Sequence, residues 1–197
     1  TTTKTVRPRK FVSVEAVLEE LEEKLAGGDD LDHISLAGCG EPTLNSDVGD
    51  LILKIRRLTR IPIAVLTNGS LLWMNEVQDA LMSADLVLPS LDAGDAAIFE
   101  YVNRPHKSIS FDLMTNGLAS FAERFRGSIW VEVFLLYGVT GILHEVEKIA
   151  GILAPMKLGK IQLNTVTRPA AEKYAKPVPY KQMMRLAGRL PGHVEII

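Results

Sequence analysis

The sequence predicts an α/β protein with parallel strands, on three observations. Short apolar runs alternate with segments of helical period from one end of the chain to the other. The alternation is strict, run then helix, which is the pattern of right-handed strand–helix–strand crossovers. Polar residues gather where the apolar runs stop, the edge at which β/α sheets build their sites.

The elements follow in order. Ser13 is placed to cap a helix carrying Val14, Val17, Leu18, Leu21 and Leu25, with Gly27 and Gly28 as its stop. His33–Gly38 reads as a strand. Asn45 or Ser46 caps a second helix with Val48, Leu51, Ile52, Ile55 and Leu58 on one face. Ile61–Leu66 is the next strand, Asn75–Ser83 a short helix, Asp85–Ser90 a strand and Ala96–Val102 a short helical piece. Ser110 caps a helix carrying Met114, Leu118, Phe121 and Phe125, and Ile129–Leu136 is a long apolar strand. Ile142, Val146, Ile149 and Leu153 mark a helix broken at Pro155. Lys160–Thr165 is a strand, Tyr180–Leu190 a last helix and His193–Ile197 a last strand. An open doubly wound sheet and a barrel both fit this order. No Gly-x-Gly-x-x-Gly turn follows a strand, which weakens the dinucleotide-binding version of the first.

The 197 residues suffice for one domain, 1–197, with a sizeable core. A formal charge of −2 gives no support for a nucleic-acid partner. Cys39 is the single cysteine, so no internal disulfide forms, and the four histidines are scattered without metal-ligand spacing. No metal site is expected in the chain itself. No apolar run reaches membrane-spanning length and no signal peptide opens the sequence, so a cytoplasmic protein is expected. The sequence opens at Thr1 without an initiator Met and stops at Ile197 inside a strand-like run, so a fragment is expected.

The strand ends read Gly38-Cys39-Gly40-Glu41-Pro42, Thr67-Asn68-Gly69-Ser70, Ser90-Leu91-Asp92-Ala93 and Asn164-Thr165-Val166-Thr167-Arg168-Pro169. Within Ile129–Leu136, alternation puts Glu132 on the face opposite Ile129, Val131, Val133 and Leu135. Gln162 and Asn164 oppose Ile161 and Leu163 in the same way. Barrel interiors are normally filled by branched apolar residues. These polar positions therefore call for a partner, either a ligand in the lumen or a structural pair such as Glu132 with a neighbouring Arg or Lys.

Gly38-Cys39-Gly40-Glu41-Pro42 resembles the Gly-Gly-Glu-Pro motif of radical S-adenosylmethionine (SAM) enzymes, with Cys39 in place of the first paired glycine. Val65–Ser70, Ser90–Ala93, Asn103-Arg104-Pro105 and Gln162–Thr165 with Arg168-Pro169 resemble successive landmarks of one branch of that family. That branch contains the tRNA wyosine-synthesis enzyme and prokaryotic iron–sulfur oxidoreductases. The resemblance covers essentially the whole chain. It implies a partial (β/α)6-type TIM barrel from which the first strand and the loop with Cys-x-x-x-Cys-x-x-Cys are missing.

The resemblance also implies chemistry. A reduced [4Fe–4S] cluster and an external electron donor would cleave SAM to a 5′-deoxyadenosyl radical that takes hydrogen from an unknown substrate, an oxidoreductase-type reaction. Gly38, Gly40, Glu41 and Pro42 are expected at the methionyl end of SAM. Thr67 and Asn68 would line the same site or simply form a turn. Ser90 and Asp92 are candidates for ribose hydroxyls, with capping of the next helix as the other role open to Asp92. Glu132 and Asn164 are candidate lumen contacts for the cofactor, and Arg104 and Arg168 candidates for anionic groups of substrate. Without the cluster cysteines the fragment is expected to be inactive. Two alternatives stay open: a barrel that binds SAM or a nucleotide without radical chemistry, and an unrelated barrel lyase or aldolase using Glu132 or a lysine.

Overall fold

The computed structural model describes residues 4–28, 30–38, 40–170 and 172–197. Six strands form one sheet: β1 (Ile34–Leu36), β2 (Ile63–Thr67), β3 (Leu86–Pro89), β4 (Ser128–Leu135), β5 (Lys160–Thr165) and β6 (Val194–Ile196). Their spatial order is their sequence order, and every pairing is parallel. Seven helices accompany them: α1 (Val14–Leu25), α2 (Val48–Leu58), α3 (Asn75–Leu81), α4 (Ala96–Val102), α5 (Phe111–Arg124), α6 (Leu143–Leu153) and α7 (Tyr180–Ala187). A short 3₁₀ turn, Pro42–Leu44, follows β1 and was not legible from the sequence.

This order decides between the two architectures. A doubly wound sheet reverses its strand order part-way and so covers both faces with helices. Here the order never reverses, so right-handed crossovers lay every helix on the same face. The sheet is an arc of a β/α barrel. Burial agrees: Ile129, Val131, Val133 and Leu135 of β4 are buried, while Trp130, Glu132 and Phe134 on the inner face are only half-buried. Leu66 on the inner face of β2 remains exposed.

The outer face carries the core. Ile52 and Ile55 of α2, Phe121 of α5 and Ile149 of α6 are fully buried on Val65, Val87, Val131 and Leu163. Ser13 and Ser110 cap α1 and α5, accepting bonds from Ala16 N (3.3 Å) and Leu113 N (3.1 Å). The cap of α2 falls on neither Asn45 nor Ser46. The helix begins after Asp47, whose side chain makes no capping bond. At the amino edge of the lumen the Lys160 ammonium lies 4.1 Å above the Trp130 ring and 2.7 Å from Glu195 Oε2, which closes the floor. Among the described residues no helix is long and apolar enough to cross a membrane.

Gly117 shows how tightly the outer layer packs. A Cβ there would lie 2.5 Å from Trp73 N and 2.8 Å from Leu72 C, both backbone atoms that cannot rotate away. Replacing a helical glycine by alanine ordinarily gains about 1 kcal/mol, but overpacking against a fixed wall costs about 1–3 kcal/mol. Gly117→Ala is therefore expected to lower stability by about 1 kcal/mol net in denaturant titration, and an unchanged or raised midpoint would show that the wall yields.

Candidate functional site

The carboxyl edge of β1 and β2 is built around one carboxylate. Glu41 Oε1 accepts bonds from Thr43 N (3.1 Å), Thr43 Oγ1 (2.6 Å) and Thr67 Oγ1 (2.6 Å), and Oε2 accepts from Asn68 N (2.7 Å). The proline after Glu41 has a fixed φ and starts the 3₁₀ turn, for which Glu41 is the N-cap. Glu41 thus ties the loop after β1 to the end of β2. Oε1 is saturated, whereas Oε2 has one partner and room for another donor.

Gly38 and Gly40, in the loop that leads into Glu41, are exposed. A Cβ on Gly40 would meet nothing within 4 Å, and one on Gly38 only Gly40 N at 3.9 Å. Their backbone faces a cavity of about 1510 Å³ that also reaches Glu41, Pro42, Asn68, Asn103 and Arg104. Thr67 is buried, and its hydroxyl also accepts from Gly69 N (3.1 Å). Asn68 uses its side-chain carbonyl to accept from Ser70 N (2.9 Å), and Gly69 has φ +73°. The turn reading of Thr67-Asn68-Gly69 is therefore present, and the same residues also brace Glu41.

A second cluster lies deeper, on the inner face of β3 to β5. Ser90 bridges to Glu132, Leu91 N donates to Glu132 O (2.9 Å), and Ser90 N donates to Thr67 O (3.1 Å), which joins the two clusters. Asp92 Oδ1 accepts from Phe134 N (3.0 Å) and Oδ2 from Asn103 Nδ2 (2.9 Å). Asp92 does not cap α4. Asp95 does, accepting from Ile98 N at 2.9 Å. The partner of Glu132 is Asn164, whose Nδ2 lies 3.1 Å from Oε1, and not an Arg or Lys. Burial pushes the Asp92 carboxyl up to about 6; the bonds from Phe134 and Asn103 pull it down, and the charge of Glu132 pushes it up again.

Arg104 and Arg168 part company. Arg104 donates to Glu172 Oε1 (2.8 Å) and Tyr174 Oη (2.9 Å) on the loop after β5, and its neighbour Asn103 holds Asp92. Arg168 is exposed and pairs with no acid among the described residues. Cys39 lies outside the described residues. Sequence reasoning missed Thr43 and Asn103, the partners that fix Glu41 and Asp92. Asn103 is the C-cap of α4, and no sequence pattern ties such a residue to an aspartate eleven residues back along the chain.

The profile of the radical SAM superfamily matches residues 2–151. The chain belongs to the radical SAM superfamily. It is 41% identical over 173 residues to a Brachyspira hyodysenteriae protein named GTPase Obg, covering 88% of this chain and 25% of that protein. It is 32% identical over 179 residues to a UPF0026 protein of Methanocaldococcus jannaschii, covering 90% of this chain and 56% of that one. The chain therefore spans about a quarter and about half of the length of these two relatives. Among solved structures, Streptococcus suis SuiB bound to S-adenosylmethionine superposes with a TM-score of 0.70 at 14% identity, over 100% of this chain and 45% of that one. The likeness is one of fold, and the six-stranded parallel arc is the partial barrel expected of the superfamily.

Two outcomes test this geometry. Removing the Glu41 carboxylate orphans the buried Thr67 hydroxyl and two amides, so Glu41→Ala is expected to cost about 2–4 kcal/mol in chemical denaturation. A cost near zero would mean that water replaces the brace. In the fold the Asp92 carboxyl is pushed up to about 6, from an ordinary 3.8. The folded state then holds the extra proton between those values, so this group's contribution is present at low pH and lost as pH rises through about 6. Asp92→Asn, which keeps the acceptor for Phe134 N, is expected to gain on the parent by on the order of 2 kcal/mol between pH 4 and pH 7. A pH-independent difference would place the Asp92 carboxyl at an ordinary value.

Proposed function

We propose that the chain is the core of a radical SAM enzyme in which the Gly38–Pro42 loop takes the methionyl end of SAM and the Ser90, Asp92, Glu132 and Asn164 cluster faces the ribose and the reacting part of the substrate. One observation carries this reading. The exposed backbone of Gly38 and Gly40 and the half-used Oε2 of Glu41 open onto one large cavity. Main-chain carbonyls without neighbouring side chains, next to a carboxylate with a spare lone pair, suit an α-ammonium group.

The residues present fit SAM and do not fit the cluster. Among the described residues no three His, Cys, Asp or Glu side chains stand close enough to share a metal ion, and the sequence holds a single cysteine. The three thiolates of a [4Fe–4S] site are therefore not supplied by this sequence. In the whole protein, cluster and SAM together supply one-electron cleavage of SAM and hydrogen abstraction from substrate.

This chain's residues would do the positioning. Glu41 orients the ammonium while Thr43, Thr67 and Asn68 hold Glu41 in place. Ser90 and Glu132 offer acceptors for vicinal hydroxyls, with Glu132 kept in its rotamer by Asn164. Asp92 accepts one bond on each oxygen, from Phe134 N and Asn103 Nδ2, which fixes the end of β3 against β4 and α4 and leaves each oxygen a lone pair for a ligand hydroxyl. The covered outer face and the Lys160–Trp130 floor limit water entry from below.

The test uses the full-length protein, reconstituted anaerobically with iron and sulfide, reduced and given SAM. Cluster-dependent formation of 5′-deoxyadenosine is expected, reduced at least tenfold in Glu41→Gln. A folded full-length protein that binds SAM without cleaving it would instead support a SAM-binding barrel without radical chemistry.

A further inference from the structure

The acids and bases of this chain are segregated. Residues 15–32 hold eight of the 24 acidic residues and one of the 22 basic ones. The remainder of the chain therefore carries 21 bases and 16 acids, although the whole is formally −2. Part of that excess collects at the mouth of the barrel. A pocket of about 250 Å³ is lined by Lys4, Arg104, His106 and Lys107, with Glu100 as its one acid. Lys4, Arg104 and His106 also line the 1510 Å³ cavity, so the small pocket adjoins the large one and shares part of its wall.

The backbone at this place is unusual. Arg104 has φ 47°, the one non-glycine positive value among the described residues. Pro105 follows it and disfavours the right-handed helical region, which accounts for part of the preference. A long cationic side chain in the left-handed region is nonetheless uncommon, and such residues concentrate at ligand clamps. The conformation is held from three sides. The Lys4 ammonium donates to the Arg104 carbonyl, Glu172 and Tyr174 accept the guanidinium, and the Tyr174 ring packs 5.2 Å from that of Tyr101.

The ion pair itself is a surface pair, half-exposed on both sides. Pairs of that kind contribute little to stability. It uses two of the five guanidinium N–H groups. Among the described residues no acid pairs with Lys4 or Lys107. His106 Nδ1 accepts from Ser108 N, which leaves Nε2 to point elsewhere as a donor.

We propose that this rim pocket takes a phosphoryl group of the molecule bound in the large cavity, with Glu172 occupying Arg104 until the phosphoryl group replaces it. Calling that molecule the substrate rests on the radical SAM reading; the anion site does not. Three cations and the Nε2 donor of His106 around 250 Å³ suit a dianion better than a single carboxylate. The fork of Arg104 supplies the directional contact, and Lys4 and Lys107 supply charge.

The experiment is calorimetric titration of the full-length protein, without SAM, using inorganic phosphate, phenyl phosphate and succinate. Saturable binding of inorganic phosphate is expected, tighter for phenyl phosphate because its ring extends into the large cavity, and weaker for succinate. Arg104→Gln and Lys107→Gln should each weaken phosphate binding at least tenfold. Glu172→Gln should tighten it severalfold, because a competitor for the guanidinium is removed. Phenyl phosphate binding no tighter than inorganic phosphate would overturn the link to the large cavity and leave a site for the free anion. No saturable binding, or affinities unmoved by Arg104→Gln and Glu172→Gln in proteins with parental thermal midpoints, would overturn the pocket altogether. A parallel SAM titration of the unsubstituted protein separates this result from failure of the radical SAM reading.

Discussion

The site depends on the carboxylate of Glu41. Four donors from three residues converge on it, and they come from both sides of the gap between the ends of β1 and β2. β1 is short, with register contacts only from Ile34 to Leu36. Beyond Leu36 the sheet no longer dictates where the chain goes, so something else must place the glycine-rich loop. Charge-assisted bonds are about twice as strong as neutral ones, and the half-buried Glu41 carboxylate ties Thr43 to Thr67 and Asn68. The same carboxylate keeps Oε2 open toward the cavity. The bracing bonds thus fall mainly on one oxygen of the side chain, and the other keeps a lone pair free.

A second constraint is topological. Six parallel strands in sequential order put all helices outside and leave the inner face of the arc without a protein layer. Polar inner residues then have to satisfy one another, and they do so in a relay: Thr67 to Ser90 through the backbone, Ser90 beside Glu132, Glu132 with Asn164, and Asp92 with Phe134 and Asn103. Desolvation at Asp92 raises its carboxyl to about 6, above the ordinary carboxylate range. The Asn103–Arg104 pair extends the relay to the rim, because adjacent residues serve the interior and the mouth.

Much of this was legible in the sequence, for identifiable reasons. Strand and helix periods are local, so Ala96–Val102 and Lys160–Thr165 were read to the residue, and Ser13 and Ser110 as caps. Alternation along β4 placed Glu132 on the inner face without any structure. The radical SAM resemblance rested on several separated landmarks, and the family match over residues 2–151 agrees with it. What failed was non-local. Of the partners left open for Glu132, a cation is not the one found, because the register Phe134↔Asn164 brings an amide there instead. A local choice also went the other way: of the two roles open to Asp92, capping α4 belongs to Asp95, three residues on. The strand His33–Gly38 shrank to Ile34–Leu36 because pairing with β2, which propensity does not see, stops there.

The central claim is that Glu41 Oε2 and the Gly38–Pro42 backbone receive the α-ammonium of SAM. The most direct measurement is a crystal structure of the full-length protein with SAM bound. It should place the ammonium about 2.7–3.0 Å from Oε2, with Oε1 still accepting from Thr43 and Thr67. SAM seated with its methionyl group away from this loop, or Glu41 Oε2 paired to a protein donor in the complex, would contradict the account.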